Sequence, residues 1–221
     1  MLKILADYGQ LLLTAMGHTL LLALLSLVFA CIIGLFFGLL SVTKSKVCRA
    51  ISIVFVDIIR GIPMIVLAFF VFFGVPQFFK GIGIPLTFSG LQAGTICLSL
   101  NCGAYMAEII RAGIQSVDKG QTEAARSLGL PQWRTMQRVV MPQAIKTMIP
   151  SIINQFIITL KDTSILSVIG FPELVNSAKN VIAINFKSTE TWAIVAIMYI
   201  IIITILSKVA KVVERRLHRG S

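Results

Sequence analysis

Five apolar stretches dominate this chain, running roughly from Leu11 to Val42, Ile51 to Phe79, Phe88 to Ile110, Pro150 to Ile169 and Thr191 to Ser207. They leave few folds open. Bilayer hydrocarbon offers no hydrogen-bond partner to a backbone N–H or C=O, so a chain crosses it as helices, which satisfy the backbone internally, or as a closed barrel of strands. Barrel strands alternate apolar and polar residues over about ten positions, and no such alternation occurs here. A helix needs about 20 mainly apolar residues to cross. The pattern therefore predicts an all-α integral membrane protein with about five transmembrane helices. A composition of 57% hydrophobic and 13% charged residues excludes a soluble domain of this size, whose surface would be far more charged. The first block is longer than the apolar core of a cleavable secretion signal, so it is expected to persist in the mature chain. No Pro/Gly/Ser-rich linker, low-complexity tract or internal repeat divides the sequence, which reads as one membrane domain over residues 1–221.

A net charge of +11 would suit nucleic-acid binding if the basic residues formed one patch. Their positions give a different reading. Lys44, Lys46 and Arg49 follow the first apolar block; Arg111, Lys119, Arg126, Arg134, Arg138 and Lys146 follow the third; Lys208, Lys211, Arg215, Arg216 and Arg219 follow the fifth. Thus 14 of the 20 basic residues fall on one side, against Lys3, Lys80, Lys179 and Lys187 on the other, with Arg60 and Lys161 inside crossings. Cytoplasmic loops carry the excess of Lys and Arg. The N-terminus is therefore expected outside, the C-terminus in the cytoplasm, and no nucleic-acid partner is needed to account for the charge.

The chemistry-bearing residues are sparse. Cys31, Cys48, Cys97 and Cys102 lie in or beside apolar blocks without Cys-x-x-Cys spacing and read as small buried apolar groups. His18 and His218 fall at opposite membrane faces, and no metal site is indicated. The sequence contains no Gly-x-x-x-x-Gly-Lys-Ser/Thr phosphate loop. No catalytic residues and no cofactor are expected in this chain.

The segment Glu123-Ala124-Ala125-Arg126-Ser127-Leu128-Gly129, followed by Val139-Val140-Met141-Pro142, is a polar, basic insert between apolar blocks. Adjacent alanines favour helix and carry little side-chain bulk, so this segment can lie close inside another protein's groove. Gly129 tolerates the left-handed conformation that ends a helix, and Pro131 suits the first turn of the next. The order and spacing resemble the cytoplasmic EAA loop of bacterial ABC importer permease subunits, with Met141 standing where that family usually has Leu. The loop is placed at residues 118–142, with Glu123, Ala124, Ala125 and Gly129 as the ATPase-coupling residues. The resemblance implies a type I ABC importer permease (MetI-like) fold over a core of residues 18–207. It also implies a separate cytoplasmic ATP-binding subunit that holds ATP and Mg, a second permease chain of the same or a closely related sequence, and an extracytoplasmic binding protein that delivers solute.

Four further segments look like the polar amino acid permeases of that superfamily. They are Arg60-Gly61-Ile62-Pro63, Ala104 to Gly113, Gly120-Gln121, and Lys161 to Gly170. Asp57 and Arg60, like Glu108 and Arg111, lie three residues apart and share a helix face. They read either as interfacial ion pairs that hold helix ends or as a gate re-formed during transport. Gly61 and Pro63 mark a kink. Pro150 is expected to open the fourth crossing, which puts Asp162 roughly 18 Å above it, near or just beyond the bilayer middle. Gly170-Phe171-Pro172 should break that helix, with a short external helix within Glu173 to Asn185.

The candidate substrate pathway comprises Asn101, Lys161, Asp162, Thr163 and Ser164, because intramembrane polar groups usually face a polar interior. Lys161 is suited to an amino acid's carboxylate and Asp162 to its ammonium group. Adjacent residues on a helix point about 100° apart, however, so at most one of that pair faces a cavity. Asn101-Cys102-Gly103-Ala104 fits close helix packing as well as it fits a cavity wall.

The function expected from the resemblance is the transmembrane pathway subunit of an ATP-driven importer for polar amino acids. An ion-coupled secondary transporter would predict inverted repeats and leave the Glu-Ala-Ala loop without a role. A membrane-embedded enzyme would need a catalytic constellation that the crossings lack. In a cysteine-free background, single cysteines replacing Lys80 and Lys179 should react with an impermeant thiol reagent from outside, and one replacing Lys119 only after permeabilisation. Reversed labelling would overturn the orientation.

Overall fold

The computed structural model describes the backbone of residues 1–218 and the side chains of residues 1–212. Arg219 and Gly220-Ser221 lie outside the described residues, and Arg215, Arg216 and His218 outside the described side chains. The chain is helical: α1 (Leu2–Ser41), α2 (Lys46–Gly61), α3 (Met64–Phe69), α4 (Val75–Gly81), α5 (Gly90–Gln115), α6 (Lys119–Ser127), α7 (Gln132–Thr135), α8 (Met141–Asp162), α9 (Leu174–Asn185) and α10 (Ser188–His218). Five segments are long and apolar enough to cross a membrane, namely Leu2–Ser41, Met64–Gly81, Gly90–Gln115, Gln132–Ile169 and Ser188–Val212.

Helix α5 is the central element, packed by α1, α2 and α8. Its start is fixed by a capping box, with Ser89 Oγ accepting from Gln92 N (3.2 Å) and Gln92 Oε1 accepting from Ser89 N (2.9 Å). Ala30, Gly34 and Gly38 recur every fourth residue along one face of α1 and lie against Gly103, Met106, Ala107 and Ile110 of α5. A Cβ on Gly34 would stand 2.5 Å from Met106 Cβ, and one on Gly38 2.8 Å from Ile110 Cβ. Small residues bring the two backbones together, the main source of helix affinity where no water is present to drive apolar association. Ser99 Oγ donates across the seam to Ser26 O at 3.2 Å. On the opposite flank, Gly113 sits under Met148 of α8.

The cytoplasmic end of α1 turns into α2, where Ser45 Oγ accepts from Cys48 N at 3.3 Å. Phe37 and Phe55 stack with ring centroids 3.8 Å apart, and Ser52 Oγ donates to Phe37 O at 2.7 Å. The external end of α1 begins at Leu2, well before the apolar block at Leu11, because Ile4, Leu12 and Met16 pack on Leu174, Ala178 and Val181 of α9 and on Ile194 and Val195 of α10. Glu173 opens α9, accepting from Val175 N (2.8 Å) and Asn176 N (2.6 Å), while Thr19 Oγ1 of α1 accepts from Leu174 N (3.1 Å). Burial pushes the Glu173 carboxyl up from its ordinary value, and the two backbone hydrogen bonds oppose that rise.

Two expectations change in the structure. Pro150 does not open a crossing; it lies inside α8, which runs unbroken from Met141 to Asp162. The buried Ala144 and Met148, packed on α5, hold the helix through the missing hydrogen bond. The second apolar block is not one kinked helix but two separate ones: α2 ends at Gly61, Ile62 is extended (φ −88°, ψ 125°), and Pro63 precedes α3. Two prolines follow π-helical turns. Phe70–Gly74 precedes Pro76 of α4, and Met136–Val140 precedes Pro142 of α8. The register there shifts to Val75 N–Phe70 O and Met141 N–Met136 O, which lets the helix continue past a residue without an N–H.

The external break matches the expectation from sequence. A 3₁₀ segment (Thr163–Ile169) follows α8, Gly170 is left-handed (φ 76°), and α9 begins after Phe171-Pro172. Gly34→Ala should lower stability by about 1–3 kcal/mol through overpacking of the α1–α5 seam. Gly17→Ala, whose Cβ would meet nothing within 4 Å, should be neutral or slightly stabilising. Thermal unfolding of the two detergent-solubilised variants checks the contrast.

Candidate functional site

The break between α2 and α3 opens a cavity of about 450 Å³ within the membrane domain. Arg60, Gly61, Ile62, Pro63 and Met64 form one wall, Asn101 and Tyr105 of α5 another, and Gln155, Ile158 and Asp162 of α8 the third. The guanidinium of Arg60 sits 4.9 Å from the ring centroid of Tyr105, within cation–π range. Asn101 and Gln155 are buried, and Asp162 is half-buried. One open cleft thus brings together a guanidinium, a carboxylate and two side-chain amides.

Of the five residues assigned to the pathway from sequence, Asn101 and Asp162 line this cavity; Lys161, Thr163 and Ser164 do not. Lys161 is exposed on a different face of α8, as the angle between neighbouring helical residues requires. Thr163 is fully buried and donates to Leu160 O at 2.7 Å, and Ser164 Oγ donates to Lys161 O at 2.7 Å, so both hydroxyls serve the 3₁₀ turn. Sequence reading missed Tyr105 and Gln155. Their signal was helical spacing: Tyr105 is one turn from Asn101, and Gln155, Ile158 and Asp162 form a stripe at i, i+3, i+7.

Beneath Arg60, toward the cytoplasm, lies a second cavity of about 300 Å³. Its α2 wall is the stripe Arg49, Ser52, Ile53, Val56, Asp57 and Arg60, and α5 supplies Glu108, Arg111 and Gln115. The sequence suggested two ion pairs here. Glu108 and Arg111 do pair, with Arg111 Nε to Glu108 Oε2 at 3.0 Å and Nη2 to Oε1 at 2.5 Å, while Arg111 Nη1 donates to Gln115 Oε1 at 2.8 Å. Asp57 and Arg60 do not pair, because Arg60 is turned to the Tyr105 face. Among the described residues Glu108–Arg111 is the ion pair observed.

The polar insert forms a helical corner. Asp118 Oδ1 accepts from Gly120 N at 2.6 Å and starts α6. Gly129 ends it with φ 83°, where Gly129 N donates to Arg126 O (3.0 Å) and Leu130 N to Ala125 O (3.2 Å). Pro131 then stands just before α7. Glu123 and Ala124 are exposed, but Ala125 is 5% exposed and turned into the chain's own core. The low-bulk surface is therefore Ala124 alone, not the Ala124-Ala125 pair. Leu128 (85% exposed) and Trp133 (71%) project from the same corner, a feature that residue spacing did not reveal. Among the described residues no group of three or more His, Cys, Asp and Glu side chains is placed to hold a metal, and the four cysteines are free thiols.

Residues 30–219 match the family described as the binding-protein-dependent transport system inner membrane component. The chain is similar to the glutamine transport system permease protein GlnP of Escherichia coli strain K12, with 38% identity over 200 residues that cover 90% of this chain and 89% of that protein. It is also similar to the probable amino-acid ABC transporter permease protein YckA of Bacillus subtilis strain 168, with 34% identity covering 90% and 86%. Among solved structures, a crystal structure of an amino acid ABC transporter with histidines superposes at a TM-score of 0.88 with 35% identity, covering 96% of each chain. The inward-facing methionine ABC transporter MetNI superposes at 0.79 with 20% identity over 96% of this chain, a likeness of fold.

The corner geometry separates two neighbouring alanines. Ala125→Trp should destabilise the chain by about 1–3 kcal/mol through overpacking. Ala124→Trp, on the exposed face, should change stability by no more than about 0.5 kcal/mol. Thermal unfolding of each purified variant measures the difference.

Proposed function

We propose a function from one premise: this chain belongs to the family of binding-protein-dependent transport system inner membrane components, and it has the type I ABC importer permease fold. It is a multi-pass inner-membrane permease subunit. The reading we draw is that it forms the transmembrane pathway of an ATP-driven importer for polar amino acids. Hydrolysis takes place in a separate cytoplasmic ATP-binding subunit that holds ATP and Mg²⁺. An extracytoplasmic amino-acid-binding protein supplies the solute, and a second permease chain, identical or closely related, completes the pathway.

The observation that carries the substrate class is the pair of opposite charges, Arg60 and Asp162, lining one cavity inside an otherwise apolar domain. An α-amino acid brings a carboxylate and an ammonium group. Arg60 suits the carboxylate, a role the sequence suggested for Lys161, and Asp162 suits the ammonium. Asn101 and Gln155 offer amide donors and acceptors to a polar side chain. The similarity to GlnP and YckA supports the same class.

Coupling follows from the corner at α6 and α7. ATP binding closes the ATPase dimer, the docked corner moves with it, and the helices around the cavity open outward to accept solute; hydrolysis restores the inward-facing state. Such a cycle requires each ligand to prefer one conformation, since equal affinity for both would move nothing. Glu123, Ala124, Leu128 and Trp133 present the docking surface, and Gly129 permits the sharp turn that holds it.

Reconstitution of the permease with its ATPase subunit and binding protein tests this reading. ATP should drive uptake of a polar amino acid such as glutamine, and Ala124→Trp should abolish that uptake while assembly persists. Asp162→Asn preserves the shape of the side chain but removes its charge, so uptake should fall at least tenfold with thermal unfolding of the complex little changed. Reduced stability with normal uptake per folded complex would remove Asp162 from the substrate contacts. Uptake that follows an ion gradient and ignores ATP would replace the reading with an ion-coupled transporter.

A further inference from the structure

The cytoplasmic cavity beneath Arg60 is not explained by the substrate cavity above it. Its α2 wall is a continuous helical stripe, Arg49, Ser52, Ile53, Val56, Asp57 and Arg60, at spacings that place every member on one face. Across the groove, Glu108 and Arg111 neutralise each other. Asp57 stands three residues from Arg60, a spacing at which unlike charges normally meet. Arg60 instead packs over Tyr105, 4.9 Å from the ring centroid, and the Asp57 carboxylate is left without an ion-pair partner among the described residues. Arg49 and Arg60 likewise have no carboxylate within ion-pair distance among those residues. Unlike charges are thus held apart along the wall of a cavity of about 300 Å³, the lower end of the size range for small-molecule sites.

We infer that this groove is a second binding station for an α-amino acid zwitterion, on the release side of the pathway, with the ammonium group at Asp57 and the carboxylate at the arginines. The inference rests on the amino acid importer reading above and extends it to a site outside the substrate cavity. Mixed charge decides the ligand class. An inorganic anion would meet the arginines but also the like charges of Asp57 and Glu108, and a simple cation would meet Asp57 but also Arg49 and Arg60. A zwitterion satisfies both signs at once. Arg60 lines both cavities. A carboxylate leaving the upper site therefore passes to the lower one without losing its guanidinium partner, and the intermediate position lowers the cost of moving a charged group toward the cytoplasm.

Ile53 lines the groove one turn below Asp57 and is 45% exposed, which makes it a reporter outside the substrate cavity. The experiment places Ile53→Cys in a cysteine-free permease, assembled with its ATPase subunit in inside-out vesicles, and follows its reaction with an impermeant maleimide. Glutamine should slow labelling several-fold, and inorganic phosphate should not. Asp57→Asn or Arg49→Gln should abolish protection, whereas Asp162→Asn should leave it intact. Three results overturn the inference: no protection by glutamine, equal protection by phosphate, or protection lost in Asp162→Asn but retained in Asp57→Asn. ATP-driven glutamine uptake by the same reporter assembly, in vesicles of right-side-out orientation, separates the two readings. Uptake without protection removes the second station alone, while protection without uptake retains the station and removes the importer reading.

Discussion

The close approach of α1 and α5 governs the rest of the molecule. Apolar side chains gain little from burial against one another when lipid is the alternative, so helices in a membrane associate through tight packing and polar contacts. Gly34 and Gly38 allow the α1 backbone to reach Met106, Ala107 and Ile110, at distances that leave no room for a methyl group. With α5 fixed against α1, its other faces become walls: Gly113 admits Met148 of α8, Gly94 admits Leu166 of the 3₁₀ segment, and Asn101, Tyr105, Glu108 and Arg111 line cavities shared with α2. Asn101, Tyr105, Glu108 and Arg111 therefore point where they do because glycines and alanines occupy the opposite side of the same helix.

Irregular backbone lies where polar space is needed. The extended Ile62 and the proline after it separate α2 from α3, and the upper cavity opens at that break. Non-helical backbone at membrane depth is tolerated where it lines a cavity rather than lipid. The π turns before Pro76 and Pro142 have the contrary effect, preserving helices that a proline would otherwise interrupt. The second of them joins the α6–α7 corner to α8, the helix that carries Gln155 and Asp162.

Arg60 stands at the junction of the two cavities. Its apparent partner in the sequence, Asp57, lies on the same face one turn away, and local spacing alone favours the pair. The aromatic face of Tyr105, brought alongside by packing of α5 on α2, takes the guanidinium instead. That single choice gives the upper cavity a positive charge and leaves Asp57, in the lower one, without an ion-pair partner among the described residues.

Much of this protein was determined by the sequence. Segment hydropathy gave the five crossings, the distribution of Lys and Arg gave their expected orientation, and Gly129, Gly170 and Pro172 marked the ends of helices, because each of these properties depends on solvation or on local backbone conformation. Short-range pattern also predicted the polar corner and the external helix α9. Only the tertiary structure decided which polar side chains share a cavity. It turned Lys161 away and kept Asp162, buried Ala125 and left Ala124 exposed, split the second apolar block in two, and carried α8 through Pro150. Those outcomes depend on the rotation of each helix about its axis and on its depth against its neighbours. Both are set by side-chain packing between segments far apart in the chain, and no window of sequence contains that packing.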